Sequence, residues 1–237
     1  MRLFVPAETR DGERRVALVP DTVGKLAALG LDVTIESGAG AAAFATDADY
    51  VEAGATIVAT ADVADAFASA DVVATVRPLD PANAAKLKAG AVAMSFLQPN
   101  SDTETVAAIA SAGATALSFD LVPRISRAQS MDALTSQALV TGYRSTLVAA
   151  EALPKFFPLF MTAAGTIPPA KVLVLGAGVA GLQAIATAKR LGAVVSAYDV
   201  RAASADEVRS MGATFIELEL EALEAGGGAA CVLNAAN

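Results

Sequence analysis

The 237-residue chain is 54% apolar, which is enough for two modest domains with their own cores and excludes a disordered chain or a disulfide-stapled mini-protein. It has no histidine and one cysteine, so Ser-His-Asp and Cys-His catalysis, His-ligated zinc, Cys-rich metal sites and intrachain disulfides are all excluded, and we expect an intracellular protein. A net charge of −8 does not supply the basic stripe that nucleic-acid binding normally needs, so we predict no nucleic-acid partner.

We predict no export signal and no membrane helix. Residues 8–15 are too charged for the apolar core of a signal peptide. The longest uncharged stretch, residues 172–188, has Gly176, Gly178 and Gly181 at its centre, which favours a strand, a turn and a helix over a spanning helix. We therefore expect any work at a membrane to depend on a partner.

Short β-rich runs alternate with Ala-rich segments of helical periodicity through the N-terminal half of the chain. The runs predict strands at residues 3–5, 33–35, 72–76, 92–97 and 115–119. The segments between them predict helices at about 20–29, 47–53, 63–69, 80–88 and 101–112, with N-cap candidates at Asp21, Asp62, Asp80 and Ser101. This alternation predicts that residues 1–131 form a Rossmann-like α/β domain, with a mostly parallel sheet covered on both faces.

Residues 132–170 are predicted to link two domains. Helical periodicity without strand signals predicts a long helix at about 132–150, capped by Asp132 or Ser130. Prolines at 154, 158, 168 and 169 then break any continuous helix before the next strand begins.

A second alternation of strand and helix patterns occupies residues 171–237 and predicts one mononucleotide-binding half of a doubly wound fold. Its predicted elements are strands at 172–175, 193–198 and 214–216, and helices at about 179–191 and 204–211. The Gly-rich tail at 224–231 predicts no element. We therefore expect two Rossmann-like domains with mostly parallel sheets, the second one incomplete.

Residues 176–181 form a GxGxxG motif, which is a specific signal for dinucleotide binding here because a predicted strand precedes it and an amphipathic helix follows it. Gly176 would permit the tight turn, Gly178 would let a pyrophosphate approach the backbone, and Gly181 would let the helix pack closely on the strand. The helix N-terminus would offer unpaired N–H groups to the phosphates. The alternative is that the glycines serve only a turn.

Asp199 ends the strand after this helix, where a dinucleotide fold places an acidic residue. Its carboxylate would accept hydrogen bonds from the ribose hydroxyls and repel a 2′-phosphate, which predicts NAD in preference to NADP. Arg201 complicates this prediction, because a nearby arginine is how NADP sites offset the phosphate charge.

Residues 124–132 form a second candidate, since they follow the fifth strand at the sheet edge where α/β proteins bind ligands. Their two arginines, amide and carboxylate could orient a nicotinamide and its diphosphate, or they could be a solvated loop with Asp132 as a helix cap. Glu13, Arg14 and Arg15 could clamp a substrate carboxylate, but a charged turn is the simpler interpretation.

Two of these segments carry a resemblance to a known family. Residues 124–137 (RISRAQSMDALTSQ) and 172–202 (VLVLGAGVAGLQAIATAKRLGAVVSAYDVRA) resemble the NAD(H)-binding alpha subunit of proton-translocating NAD(P) transhydrogenase. Residues 13–20 are similar to the start of that subunit and of alanine dehydrogenase, which shares its fold. The resemblance extends from residue 1 to about 220.

The resemblance implies an enzyme that transfers hydride from NADH on this chain to NADP⁺ on a partner component, coupled to proton translocation by an integral-membrane component. It implies a homodimer in the cytoplasm, held at the inner face of the cell membrane by its partners. It places Arg124, Gln129 and Asp132 in the loop at the nicotinamide end, which faces the partner's NADP(H), and Thr135 near the cofactor. The NAD(H)-binding residues that it implies are Gly176, Gly178, Val179, Ala180, Gly181, Asp199, Val200 and Arg201, and in this family Arg201 does not signal NADP.

The sequence departs from the family at its C-terminal end. The family continues with further strands and a return to the first domain, and Gly226–Gly228 stand where its mobile loop has Gly-Gly-Tyr. We therefore expect an incomplete second domain, in a chain that is a fragment or has a tail unlike the family's.

Two other functions compete with the transhydrogenase. An alanine dehydrogenase normally uses a lysine and a histidine to move the proton, but the chain has no histidine, and Thr75 lies in the strand run where that family would place its lysine. A non-catalytic NAD-binding module is the third possibility that the sequence leaves open.

Overall fold

The computed structural model describes residues 1–217 and 231–234, so the tail residues 226–228 lie outside the described residues. The chain divides into two compact units, Met1–Asp132 and Ala133–Asn237, which are described separately. Both units are α/β with mainly parallel sheets, which confirms the predicted fold class.

The first unit is built on a six-stranded parallel sheet in the order β3-β2-β1-β4-β5-β6. Its strands are β1 (Arg2–Val5), β2 (Asp32–Glu36), β3 (Thr56–Val58), β4 (Val72–Ala74), β5 (Val92–Ser95) and β6 (Thr115–Ser118). Its helices are α1 (Pro20–Ala28), α2 (Asp47–Glu52), α3 (Val63–Ser69), α4 (Pro81–Ala84) and α5 (Thr103–Ser111). This is the doubly wound order, with the switch point between β1 and β4.

Strand β1 shows why both faces of this sheet are covered. Successive side chains of a strand point to opposite faces, so Leu3 and Val5 enter one hydrophobic cluster while Phe4 enters the other. Phe4 packs edge-to-face on Phe67 of α3, with ring centroids 5.1 Å apart. An apolar run buried on both sides is what a parallel sheet requires.

Several predicted details of the first unit were wrong. Strand β3 was not predicted, and none of its three residues is fully buried, which weakens the apolar signal of a core strand. Asp80 does cap α4, but that helix ends at Ala84 instead of residue 88. The backbone N–H of Leu87 bonds to the carbonyl of Ala84, three residues back, as in a 3₁₀ turn.

The other predicted caps of this unit are displaced or make no cap bond. Asp21 lies in the first turn of α1, whose N-cap is Val19. Asp102, not Ser101, caps α5 by accepting the Thr105 N–H. Asp62 precedes α3 without a side-chain cap bond. Neighbouring Ser and Asp residues offer equivalent oxygens, so sequence alone does not choose between them.

The second unit contains a four-stranded sheet in the order β11-β10-β9-β12 and a separate two-stranded hairpin. Its elements are α6 (Ala133–Ala152), β7 (Phe160–Thr162), β8 (Gly165–Ile167), β9 (Lys171–Leu175), α7 (Val179–Arg190), β10 (Val194–Tyr198), α8 (Ser204–Ser210), β11 (Thr214–Phe215) and β12 (Cys231–Asn234). Strands β9, β10 and β11 are parallel, whereas β12 pairs antiparallel with β9. The hairpin and β12 were not predicted.

Helix α6, predicted as a link, packs against α7 within the second unit. The contact is a close backbone approach at Gly142, where any Cβ would overlap the Ala180 carbonyl oxygen of α7. One turn further on, the buried Thr146 hydroxyl donates to the carbonyls of Gly142 (3.1 Å) and Ala184 (3.3 Å). Small residues on one face of α6 therefore set its distance from α7.

Replacing Gly142 by Ala should lower the free energy of unfolding by about 1–3 kcal/mol, because the new methyl group must push α6 away from α7. Urea denaturation measures the change. Gly24→Ala is the matched control, since Gly24 also lies inside a helix but its added Cβ meets only one atom, at 3.9 Å. That control should stabilise the protein by up to about 1 kcal/mol through helix propensity. Equal effects of the two substitutions would contradict the close approach.

Candidate functional site

Two glycines of the GxGxxG motif are required by the fold. Gly176 has a φ of 95°, in the region that favours glycine, and its N–H donates to the Tyr198 carbonyl at 2.8 Å. A Cβ on Gly181 would overlap the Gly176 carbonyl oxygen and would contact Val174 at 3.6 Å. These contacts hold the turn between β9 and α7 beside the end of β10.

Gly178 differs, because a Cβ there would stand in open space and its φ of −77° suits any residue. It is the N-cap of α7 and makes no side-chain cap bond. The first N–H groups of a helix have no acceptor within it, so Val179, Ala180 and Gly181 present donors at the positive end of the helix dipole. An uncapped N-terminus with room beside Gly178 fits a pyrophosphate.

Asp199 follows β10 and is only 8% exposed. Its carboxylate accepts four hydrogen bonds: from Ala177 N at 2.7 Å, and from Arg201 N at 2.8 Å, Nε at 3.1 Å and an Nη atom at 3.2 Å. Burial alone would raise the pKa of Asp199, but the bonds from Arg201 and Ala177 outweigh it and hold the pKa below its usual value. Asp199 therefore carries its charge and ties the turn between β9 and α7 (residues 176–178, the candidate phosphate turn) to the end of β10.

This network was not predicted from the sequence. The sequence predicts that Asp199 accepts hydrogen bonds from ribose hydroxyls. In the structure its carboxylate accepts them from groups of the protein itself. Val200 and Arg201 are both exposed beside it. The spacing Asp-x-Arg is a signal that could have found the ion pair, because a side chain two residues on can reach back to a carboxylate that follows a strand.

The Arg124–Asp132 loop lies in the first unit, after β6, and contains a 3₁₀ segment at Ser126–Met131. Ala128 is buried and anchors this segment, while Arg124 and Gln129 are exposed and Asp132 is half-buried. Thr135 is half-buried in the first turn of α6, in the second unit with the phosphate turn and Asp199. Their roles toward a cofactor stay predictions.

Glu8, which the sequence did not single out, sits at the switch point of the first unit. It follows β1 and accepts the N–H groups of Val76 (2.6 Å) and Arg77 (3.1 Å), which follow β4. Burial raises the pKa of Glu8, and the two backbone bonds only partly oppose that shift. The strand order predicts a crevice at the switch point between β1 and β4. Glu8 could have been found from the sequence as the first carboxylate after β1.

Arg15 does not stand open as a clamp for a substrate carboxylate. Its guanidinium donates to Glu13 at 2.6 and 2.8 Å, and this bond is the largest of the effects that lower the pKa of Glu13 to about 2. The structure thus favours the charged turn over the clamp.

Within residues 1–217 and 231–234, no helix combines the length and apolar character needed to cross a membrane.

A doubly wound sheet, a glycine turn and an acidic residue after the next strand define a dinucleotide-binding α/β protein. A family model described as the N-terminal domain of alanine dehydrogenase/PNT matches residues 4–141, and its C-terminal counterpart matches residues 145–232. The chain belongs to the alanine dehydrogenase/PNT family.

Among curated proteins, the chain is 50% identical over 229 residues to the first of the separate parts of the NAD(P) transhydrogenase alpha subunit of Rhodospirillum rubrum, covering 94% of this chain and 59% of that protein. It is 33% identical to alanine dehydrogenase of Mycobacterium tuberculosis, covering 91% and 57%. Among solved structures, transhydrogenase from Sinorhizobium meliloti matches with a TM-score of 0.87 at 46% identity, covering 92% and 64%. The chain thus spans less than two thirds of the length of these relatives.

Gly181→Ala should lower the free energy of unfolding by about 3 kcal/mol, because the methyl group has no space beside the Gly176 carbonyl. Gly178→Ala, in the same motif, should change it by no more than about 1 kcal/mol, since its Cβ enters open space. Urea denaturation compares the two variants. A larger loss from Gly178→Ala would contradict the steric difference between the two glycines.

Proposed function

We propose that this chain is the NAD(H)-binding portion of an NAD(P) transhydrogenase, which passes hydride from NADH to NADP⁺ on a partner component. The observation that carries the proposal is the uncapped N-terminus of α7 beside Gly178, with the ionised Asp199 at the end of the next strand. Identity of 50% to a transhydrogenase alpha subunit across most of the chain supports this function over alanine dehydrogenase, which is less similar.

Each residue type has a role in this proposal. The N–H groups of Val179, Ala180 and Gly181 would bind the pyrophosphate, and Gly178 would leave room for it. Asp199 would bind the adenosine ribose and disfavour a 2′-phosphate. When bound, the nicotinamide itself supplies the hydride chemistry, so the protein needs no side-chain acid or base.

The exposed Arg124 and Gln129 and the half-buried Asp132 would hold the nicotinamide end in the geometry for transfer. Thr135 and Val200 complete the proposed NAD(H)-binding set, and the exposed Arg201 lies beside it, paired with Asp199. The family resemblance of residues 124–137 and the accessibility of the loop together support these roles.

The proposed partners are an NADP-binding component, an integral-membrane component that couples transfer to proton translocation, and a second copy of this chain. The name of the Rhodospirillum rubrum relative, which denotes one portion of a divided subunit, supports an assembly of several components. The hairpin β7–β8 supports the homodimer, because it exposes Phe160, Met161 and Ile167. Membrane components would hold the protein at the cytoplasmic face of the membrane.

Alanine dehydrogenase chemistry needs a group that delivers a proton beside the keto acid. Thr75, in the run where that family would place its lysine, is buried at the end of β4 and donates its hydroxyl to the Arg77 carbonyl at 2.7 Å. A hydroxyl bonded in this way is a poor proton donor, which further favours the transhydrogenase.

NADH should bind this protein, and NADPH should bind at least about tenfold more weakly, because the ionised Asp199 would repel the 2′-phosphate of NADPH. Isothermal titration with each nucleotide measures both affinities. Gly178→Ala is the control variant, since it should keep the fold and lose NADH affinity where its methyl group blocks the pyrophosphate. NADPH binding as tightly as NADH would contradict the cofactor assignment.

Gln129→Ala should leave NADH affinity nearly unchanged and slow hydride transfer by roughly tenfold to a hundredfold, the value of one aligning hydrogen bond in the transferring geometry. Single-turnover transfer in a complex reconstituted with the partner components measures the rate. Asp199→Ala should do the reverse, weakening NADH binding with a normal rate at saturation. If Gln129→Ala lost NADH binding and kept its rate, the loop would not lie at the reacting end.

A further inference from the structure

The carboxylate of Asp199 is fully occupied by donors of the protein itself. An ionised carboxylate offers about four acceptor sites. The structure fills them with Ala177 N–H, Arg201 N–H and two guanidinium donors of Arg201, at 2.7 to 3.2 Å. A ribose that presents two hydroxyl donors to Asp199 therefore meets a group with no acceptor site left.

The four bonds differ in how readily they break. The two backbone donors are fixed, because the Ala177 turn is held by Gly176 and Gly181 and the Arg201 N–H follows directly along the chain. The guanidinium is held less firmly, since the Arg201 side chain is 55% exposed while that of Asp199 is 6% exposed. Rotating the arginine side chain into solvent frees two acceptor sites without moving the backbone.

We propose that the Arg201 guanidinium competes with the adenosine ribose of NAD(H) for Asp199 and must leave this carboxylate when the nucleotide binds. The inference rests on the proposed NAD(H) function and adds a residue that sets its affinity. Arg201 would then keep the buried charge of Asp199 paired in the free protein and lower nucleotide affinity by the strength of that pair. The proposal predicts that removing the cationic Arg201 side chain strengthens binding of the anionic nucleotide. If Arg201 contacted the nucleotide directly, its removal would weaken binding instead.

Arg201→Ala should bind NADH about two- to fivefold more tightly than the wild-type protein, the range expected for a partly exposed ion pair. Isothermal titration measures the affinity, and thermal unfolding checks that the variant folds. Arg201→Gln is the second variant and should give a smaller gain, because its neutral amide pairs more weakly with Asp199.

Arg209→Ala is the matched control. Arg209 is also about half exposed and ion-paired in the second unit, with Asp206 and Glu217, so its removal changes the net charge equally. It should not tighten NADH binding. In an Asp199→Asn background the Arg201→Ala gain should disappear, because the two residues act through one interaction.

The outcomes separate the two proposals. NADH binding by the wild-type protein with no gain in Arg201→Ala relative to Arg209→Ala would overturn the competition and leave the proposed function standing. A gain that persists beside Asp199→Asn would also overturn it. Failure of the wild-type protein and both Arg201 variants to bind NADH would overturn the proposed function and this inference together.

Discussion

The first turn of α7 is fixed by close backbone approaches from two sides, and the candidate site depends on them. Gly181 lies against the Gly176 carbonyl, and the Ala180 carbonyl lies against Gly142 of α6. Neither approach leaves space for a methyl group, so the helix start has one position relative to β9 and to α6. The N–H groups of its first turn therefore point in a set direction, which lowers the ordering cost for a ligand that would bind them.

Asp199 extends this constraint to the next strand. Its bond to Ala177 joins the end of β10 to the phosphate turn, in addition to the backbone bond between Gly176 and Tyr198. A buried carboxylate is tolerated there because four donors, three of them from the cationic Arg201, offset its loss of water. The residue that would recognise the ribose is thus also a structural element of the turn, and a substitution at Asp199 changes both.

The sequence predicted the features of this structure that follow from local pattern. The glycines of the motif and Asp199 were found because turn, helix start and strand end each demand a residue type in order along the chain. Strand β3 and the hairpin β7–β8 were not predicted, and none of their residues is fully buried, so the apolar pattern that burial imposes on a core strand is weak there. The packing of α6 against α7 at Gly142 and the four hydrogen bonds to the Asp199 carboxylate depend on distances between side chains and backbone. A pattern of residue types does not contain those distances.

Both units contain parallel strands flanked by helices, yet the turns that follow β1 and β9 differ in which groups occupy them. In the first unit Glu8 occupies the switch point, and its carboxylate takes up the backbone N–H groups of Val76 and Arg77 that an anion would otherwise use. In the second unit the corresponding place presents Gly178 and an uncapped helix N-terminus. A dinucleotide carries two phosphate charges, so an uncapped helix N-terminus suits it better than a turn whose N–H groups are already bonded to Glu8, and it is the side chains and not the fold that make α7 the candidate.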